Sequence, residues 1–144
     1  MRVNGFWLVC DDGITRPVIP GAILANNEKW VSVKFLADSA ADCTALSADL
    51  LPHLHQLPEE SRIALAGIGG NAGSVVVQAR IRFVRDNGEA IYITGPFPAF
   101  TDPNSVDTCV LGRDITNQFA LIVDRPQDVV CLLGVGHRYT ITAG

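Results

Sequence analysis

Val31-Ser32-Val33-Lys34-Phe35-Leu36-Ala37-Asp38-Ser39-Ala40-Ala41-Asp42-Cys43-Thr44-Ala45-Leu46-Ser47 is the stretch on which the reading of this chain turns. Val31, Val33 and Phe35 alternate with Ser32 and Lys34, which predicts a half-buried strand that becomes wholly apolar as it nears Asp38. A hydroxyl, two small residues and a second carboxylate follow at once. Small residues let backbone N–H groups approach Asp38, and the Ser39 hydroxyl beside it can serve as a fixed donor. That arrangement presents a carboxylate for chemistry. An ordinary turn after a strand uses the same residue types, so this segment alone leaves both readings open.

Two later segments bear on the choice. Leu65-Ala66-Gly67-Ile68-Gly69-Gly70 reads as a glycine-rich hairpin tip with one apolar residue at its centre. Cys109-Val110-Leu111-Gly112-Arg113-Asp114 reads as an apolar strand closed by a Gly and an Arg. With the three motifs in this order, the chain resembles the retropepsins, the single-lobe aspartic proteases of the retroviral type. There the catalytic strand reads Asp-Thr/Ser-Gly-Ala-Asp, the flap tip reads Gly-Ile-Gly-Gly, and a late apolar-apolar-Gly-Arg-Asn/Asp precedes a short helix. The resemblance spans about residues 30 to 133 and departs from the family at Ala40, where the family has Gly.

The resemblance implies an all-β, single-lobe closed-barrel acid-protease fold with one short C-terminal helix, a single domain over 1–144, and a homodimer. It implies an aspartic endopeptidase that hydrolyses extended, apolar-flanked peptide segments with water and the paired Asp38 side chains of two subunits. Ser39 and Ala40 would support the catalytic loop. Ala41, Asp42, Ile68, Gly69 and Gly70 would meet the substrate, and Asp42 would form a structural ion pair with Arg113. The Ala40 methyl adds bulk where a substrate backbone would run. The alternative is therefore a catalytically weak or inactive dimer that acts as a peptide-binding or assembly module. A third reading, an unrelated β-barrel holding a small ligand, would leave Asp38 far from any symmetry axis. The β-prone termini, Phe6 to Val9 and Tyr139 to Thr142, are candidates for an intersubunit sheet.

Composition narrows the classes. The chain has 144 residues, 48% apolar and 18% charged, which suits one folded domain with a real core. Formal net charge is −4 with no basic block, which argues against nucleic acid as the main partner. No apolar run approaches the roughly 20 residues of a membrane span. Phe6-Trp7-Leu8-Val9-Cys10 is too short for a signal-peptide core and runs into Asp11-Asp12. The expectation is a cytoplasmic protein without a membrane partner or cofactor; excision from a longer precursor stays open. The 4 cysteines form no CxxC pair and read as small buried apolar residues in or beside strands of a protein in a reducing compartment. His53 and His55 could share a strand face, but no carboxylate or Cys stands at ligand spacing, so they read as surface histidines and no metal is expected. Gly67, Gly69, Gly70 and Gly73 superficially suggest a phosphate loop, yet no GK[ST] follows and Val75-Val76-Val77 is strand-like.

The rest of the chain reads as short strands between turn signals. Strands are expected at 6–10 and 14–19 around Asp11-Asp12-Gly13, with Pro17 and Pro20 marking an edge or crossing segment rather than a central strand. Asn26-Asn27-Glu28 is a turn, and Ser47 is the expected N-cap of a short helical turn. Residues 62–65 and 74–77 form the arms of the glycine-tipped hairpin. Val77, Ala79, Ile81 and Phe83 alternate with Gln78, Arg80 and Arg82 in the clearest amphipathic strand. Asp86-Asn87-Gly88-Glu89 suits a type I′ turn leading into a return strand at 90–94. Gly95-Pro96-Phe97-Pro98-Ala99-Phe100 should break regular pairing. Asp107-Thr108-Cys109 mimics an Asp-Thr-Gly start, but no small residue follows to open a turn. A short helix is expected at 115–119 and a final hairpin at 120–123 and 129–133.

Overall fold

The structure is a computed structural model that describes residues 2–56, 63–67, 70–104, 108–138, 140 and 142. Among these residues the strands form two sheets. The smaller sheet contains β1 (Arg2–Asn4), β11 (Val129–Leu133) and β10 (Ala120–Asp124), antiparallel in that order. The larger contains β2 (Phe6–Val9), β3 (Thr15–Leu24), β4 (Trp30–Ala37), β5 (His55–Gln56), β6 (Ile63–Gly67), β7 (Gly70–Val84), β8 (Ala90–Phe100) and β9 (Cys109–Leu111). Its hydrogen-bonded path runs β5-β7-β3-β4-β9, with β2 added to β3, and β6 and β8 added to β7. A 3₁₀ helix, Ala48–His53, and one α-helical turn, α1 (Arg113–Thr116), are the helical elements among the described residues.

The core follows from the period-2 patterns. Val77, Ala79, Ile81 and Phe83 all point inward from β7 and are buried. They meet Ile19 and Ile23 of β3, Phe35 of β4, Leu111 of β9 and Ile115 of α1. Val3, Val130 and Leu132 of the smaller sheet join the same cluster, so one core serves both sheets. The Phe35 and Phe83 rings sit 5.5 Å apart in a tilted pair. Each large side chain in this cluster contributes about 1.5–3 kcal/mol by leaving water.

Several local expectations are corrected. Proline does not confine β3 to an edge, because β3 lies between β4 and β7. Pro17 faces Trp7 of β2, and the β4 pairing starts only at Val18. Pro20 pairs with Lys34 on one flank; on the other it falls between the β2 partners, which end at Val18, and the β7 partners, which begin at Ala22. Each proline therefore sits where one flank asks for no donor.

The same physics carries β8 straight through Gly95 to Phe100, in register with β7 along its whole length. On its other flank Pro98 only accepts, from the Leu46 N–H at 2.9 Å. The 86–89 turn is not type I′, because Gly88 has positive φ and Asn87 does not. Gly88 N–H instead donates to the Arg85 carbonyl and Arg85 N–H to that of Glu89. Ser47 precedes the 3₁₀ helix, but its hydroxyl makes no capping bond and lies 3.4 Å from Cys109 Sγ. α1 starts and ends earlier than the expected 115–119. Phe6 to Val9 pairs within the chain, with β3. Tyr139 and Ile141 lie outside the described residues. No helix among the described residues is long and apolar enough to cross a membrane.

Candidate active site

β4 delivers Asp38 at its C-terminal end. The strand runs parallel to β9, with Ala37 opposite Leu111, and Asp38 N–H donates to the Leu111 carbonyl at 3.2 Å. The chain then turns. Ala41 N–H donates to the Asp38 carbonyl, and Ala40 N–H donates to Asp38 Oδ1 at 2.9 Å. The small residues thus bring a backbone donor to the carboxylate and fix one of its oxygens. The Asp38 side chain is half-buried, while Ser39 and Ala40 are exposed at the crest of the loop. Ala40 offers its N–H despite its methyl group.

After the turn the chain passes back along the opposite flank of β9. Ala45 bridges Val110 antiparallel, with N–H···O contacts of 3.0 and 2.8 Å in the two directions. Leu46 then bridges Ala99 of β8. β9 is therefore gripped on one side by the strand that enters the Asp38 loop and on the other by the segment that leaves it.

Two links made by side chains tie this loop to α1. The outer link is the ion pair between the Asp42 carboxylate and the Arg113 guanidinium, with the side chains 84% and 50% exposed. The inner link centres on Thr44, which is fully buried. Its N–H and hydroxyl both donate to Asp114 Oδ1, at 2.9 and 2.7 Å, and its hydroxyl oxygen accepts from Gly112 N–H at 3.1 Å. Asp114 Oδ1 also accepts from Ile115 N–H at 2.9 Å. Arg113 N–H and Asp114 N–H reach the carbonyls of Ala41 and Asp42. Gly112 is required by proximity. A Cβ there would lie 2.3 Å from the Cys43 carbonyl carbon and 2.4 Å from its oxygen, contacts that no side chain tolerates.

The structure thus brings Asp38, Ala40, Ala41, Asp42 and Arg113 into one loop–helix junction. Gly70 pairs with Gly67, the last pair of the β6–β7 hairpin before the chain crosses from one strand to the other. Ile68, Gly69 and Asp107 lie outside the described residues. Leu65 and Ala72 of that hairpin pack, as Val110 does, against the cluster of Ala45, Ala48 and Phe100, so the hairpin is rooted on the segment leaving the Asp38 loop. Thr44 and Asp114 had no assigned role in the sequence reading. They stand 70 residues apart, and no local pattern couples them.

The other candidate groups lie elsewhere. His53 and His55 are exposed, at the end of the 3₁₀ helix and in β5. All four cysteines are free thiols; Cys109 and Cys131 are buried, whereas Cys10 and Cys43 are half-buried rather than fully enclosed. Burial, followed by the charges of Asp114 and Asp42, pushes the Cys43 thiol above its ordinary range. Burial also raises the Cys109 thiol, against two opposing hydrogen bonds from Ser47.

Solved structures align with this chain. EIAV protease complexed with the inhibitor HBY-793 aligns with a TM-score of 0.50 and 21% identity, over 71% of this chain and 86% of that one. A retropepsin-like aspartic protease from Rickettsia conorii aligns with a TM-score of 0.49 and 17% identity, over 85% of this chain and 92% of that one. No protein-family model matches the chain, and no curated protein does. The fold, on the alignment with EIAV protease, is retropepsin-like.

Proposed function

We propose that the chain is a homodimeric aspartic endopeptidase whose catalytic groups are the Asp38 carboxylates of two subunits. The observation that carries this reading is Asp38 itself. It stands at the end of the parallel β4–β9 pair, held by Ala40 N–H, in a loop braced from both flanks of β9. The resemblance identifies one such Asp motif in the chain, so a dyad needs a second copy and a two-fold axis beside the loop.

Two carboxylates brought within a few Å share one proton, since both cannot ionise at little cost. The ionised member takes a proton from water as that water attacks the scissile carbonyl carbon. The protonated member donates to the carbonyl oxygen. Collapse of the tetrahedral adduct passes a proton to the leaving amine, and the pair returns to its shared state. The dyad titrates as a unit, so each Asp38 can take either role. Ser39 would lock the two loops across the axis. The β6–β7 hairpin would cover an extended substrate, with Ile68, Gly69 and Gly70 at its tip and Ala41 and Asp42 below. Apolar side chains beside the cleaved bond suit Ala41 and Ile68.

Digestion of a peptide library by wild type and by Asp38→Asn tests this reading. Wild type should cleave, with activity falling on both sides of an optimum on the acid side of neutral. Asp38→Asn should be inactive while remaining dimeric, because a carboxamide cannot exchange the proton. Undiminished cleavage by that variant excludes the mechanism. A wild-type dimer that binds peptides and cleaves none supports the binding-module alternative, for which Ala40 in place of Gly is the motive.

A further inference from the structure

The outer face of the larger sheet carries a second feature, unrelated to Asp38. The strands β3, β4, β7 and β8 contain Arg16, Lys34, Arg80 and Arg82 and no acidic residue. The chain as a whole has a net charge of −4, so this face has the opposite sign to the molecule. Arg16 is occupied by Asp12 in the β2–β3 turn. Lys34, Arg80 and Arg82 face outward, opposite the inward Phe35, Ala79, Ile81 and Phe83, and none of the ion pairs found among the described residues involves them. The nearest acids of the β7–β8 turn are engaged: Asp86 by Arg2 N–H and Glu89 by Arg85.

The two arginines are held flat. Arg80 lies 4.5 Å over the Tyr92 ring and Arg82 lies 4.5 Å over the Trp30 ring. Trp30 on β4 and Tyr92 on β8 are separated by two strands, yet their ring centroids approach to 5.9 Å. The rings lean together across β3 and β7, where Ala22 stands opposite both Ser32 and Arg82 and takes up little room. Stacking on a ring removes rotamer freedom from a guanidinium and leaves its N–H edge available for a planar anion. Arg82 Nε is buried without a hydrogen-bond partner. Arg80 and Arg82 are two residues apart on one strand face, a spacing of roughly 6.6–6.8 Å. Alternate side chains of an extended peptide repeat at the same interval.

We propose that this face docks an extended acidic peptide segment, with carboxylates at alternate positions bridging Arg80 and Arg82 and a further one reaching Lys34. A single-stranded nucleic acid fits less well. One face of each ring is already taken by a guanidinium, the rings tilt toward each other at 42°, and three cations on a chain of net charge −4 give a polyphosphate little gain. The site is independent of the proposed hydrolysis, so it is tested on Asp38→Asn, where no probe can be consumed by the proposed reaction.

The measurement is fluorescence anisotropy at low salt with three labelled probes. These are an alternating Glu-Thr peptide, an equally long Gln-Thr peptide, and an oligothymidylate of the same charge as the first. The Glu-Thr peptide should bind and the Gln-Thr peptide should not. Arg80→Gln should weaken binding roughly tenfold, the loss of one charge-assisted contact pair. Arg80→Lys should restore little of it, since an ammonium lacks the planar fork. Lys34→Gln should weaken binding less. Arg80 and Lys34 are exposed, so both variants keep the fold and decide the matter even if Arg82→Gln does not. Equal binding of the two peptides, or unchanged affinity in Arg80→Gln, overturns the proposal. Tighter binding of the oligothymidylate overturns it in favour of nucleic acid.

Discussion

Side chains join the loop that carries Asp38 to α1 at two places, and these two junctions differ in kind. The outer one, Asp42 to Arg113, pairs full charges in solvent. The inner one joins the fully buried Thr44 to Asp114 and Gly112 with hydrogen bonds of 2.7 to 3.1 Å. Formal charge makes the outer junction the more conspicuous. Desolvation makes the inner one the more consequential, because water replaces a broken exposed ion pair but cannot reach a buried donor. Placement of the Asp38 loop depends here on a neutral hydroxyl more than on a salt bridge.

Substitutions at the two junctions measure the contrast. Gly112→Ala is expected to have the largest effect, on the order of 3 kcal/mol of stability, since the new methyl meets the Cys43 backbone and neither chain can yield cheaply. Chemical denaturation reads it directly. Next, Asp114→Ala strips the acceptor from the Thr44 N–H and hydroxyl and from Ile115 N–H, at about 2–3 kcal/mol, and Thr44→Val leaves Gly112 N–H without its acceptor, at about 1–2 kcal/mol. Arg113→Gln should cost no more than about 0.5 kcal/mol, and that small difference should vanish in high salt. A larger loss from Arg113→Gln than from Thr44→Val would invert the comparison. For cleavage the same order should hold, because a loosened loop displaces Asp38.

These residues also mark what could be seen beforehand. β4, β7 and the turn at Asn26 to Glu28 were legible because the signal is local: alternation fixes which side chains enter the core, and turn residues fix where a strand stops. The Asp38 loop was legible for the same reason, as a compact run of carboxylate, hydroxyl and small residues. Pro96 and Pro98 misled, since their tolerance depends on what lies on the far flank of β8, a fact of topology. Asn87-Gly88 misled because the dipeptide suits more than one turn, and the 85–89 hydrogen bonds select one with positive φ at Gly88 alone. Thr44 and Asp114 were silent because their partnership spans the whole of β5 to β9. The stacked arginines were visible as outward residues of β7, but their rings come from β4 and β8, and sheet order alone brings those together.

The central claim is that one working site takes an Asp38 from each of two chains. Its most direct test is mixing. Wild type is combined with increasing Asp38→Asn protein, the subunits are allowed to exchange, and peptide cleavage is measured per wild-type chain. A shared dyad predicts that this specific activity falls in proportion to the wild-type fraction, because each mixed dimer holds one carboxylate and one carboxamide. Specific activity that stays constant as the variant is added, with subunit exchange demonstrated, would contradict the account.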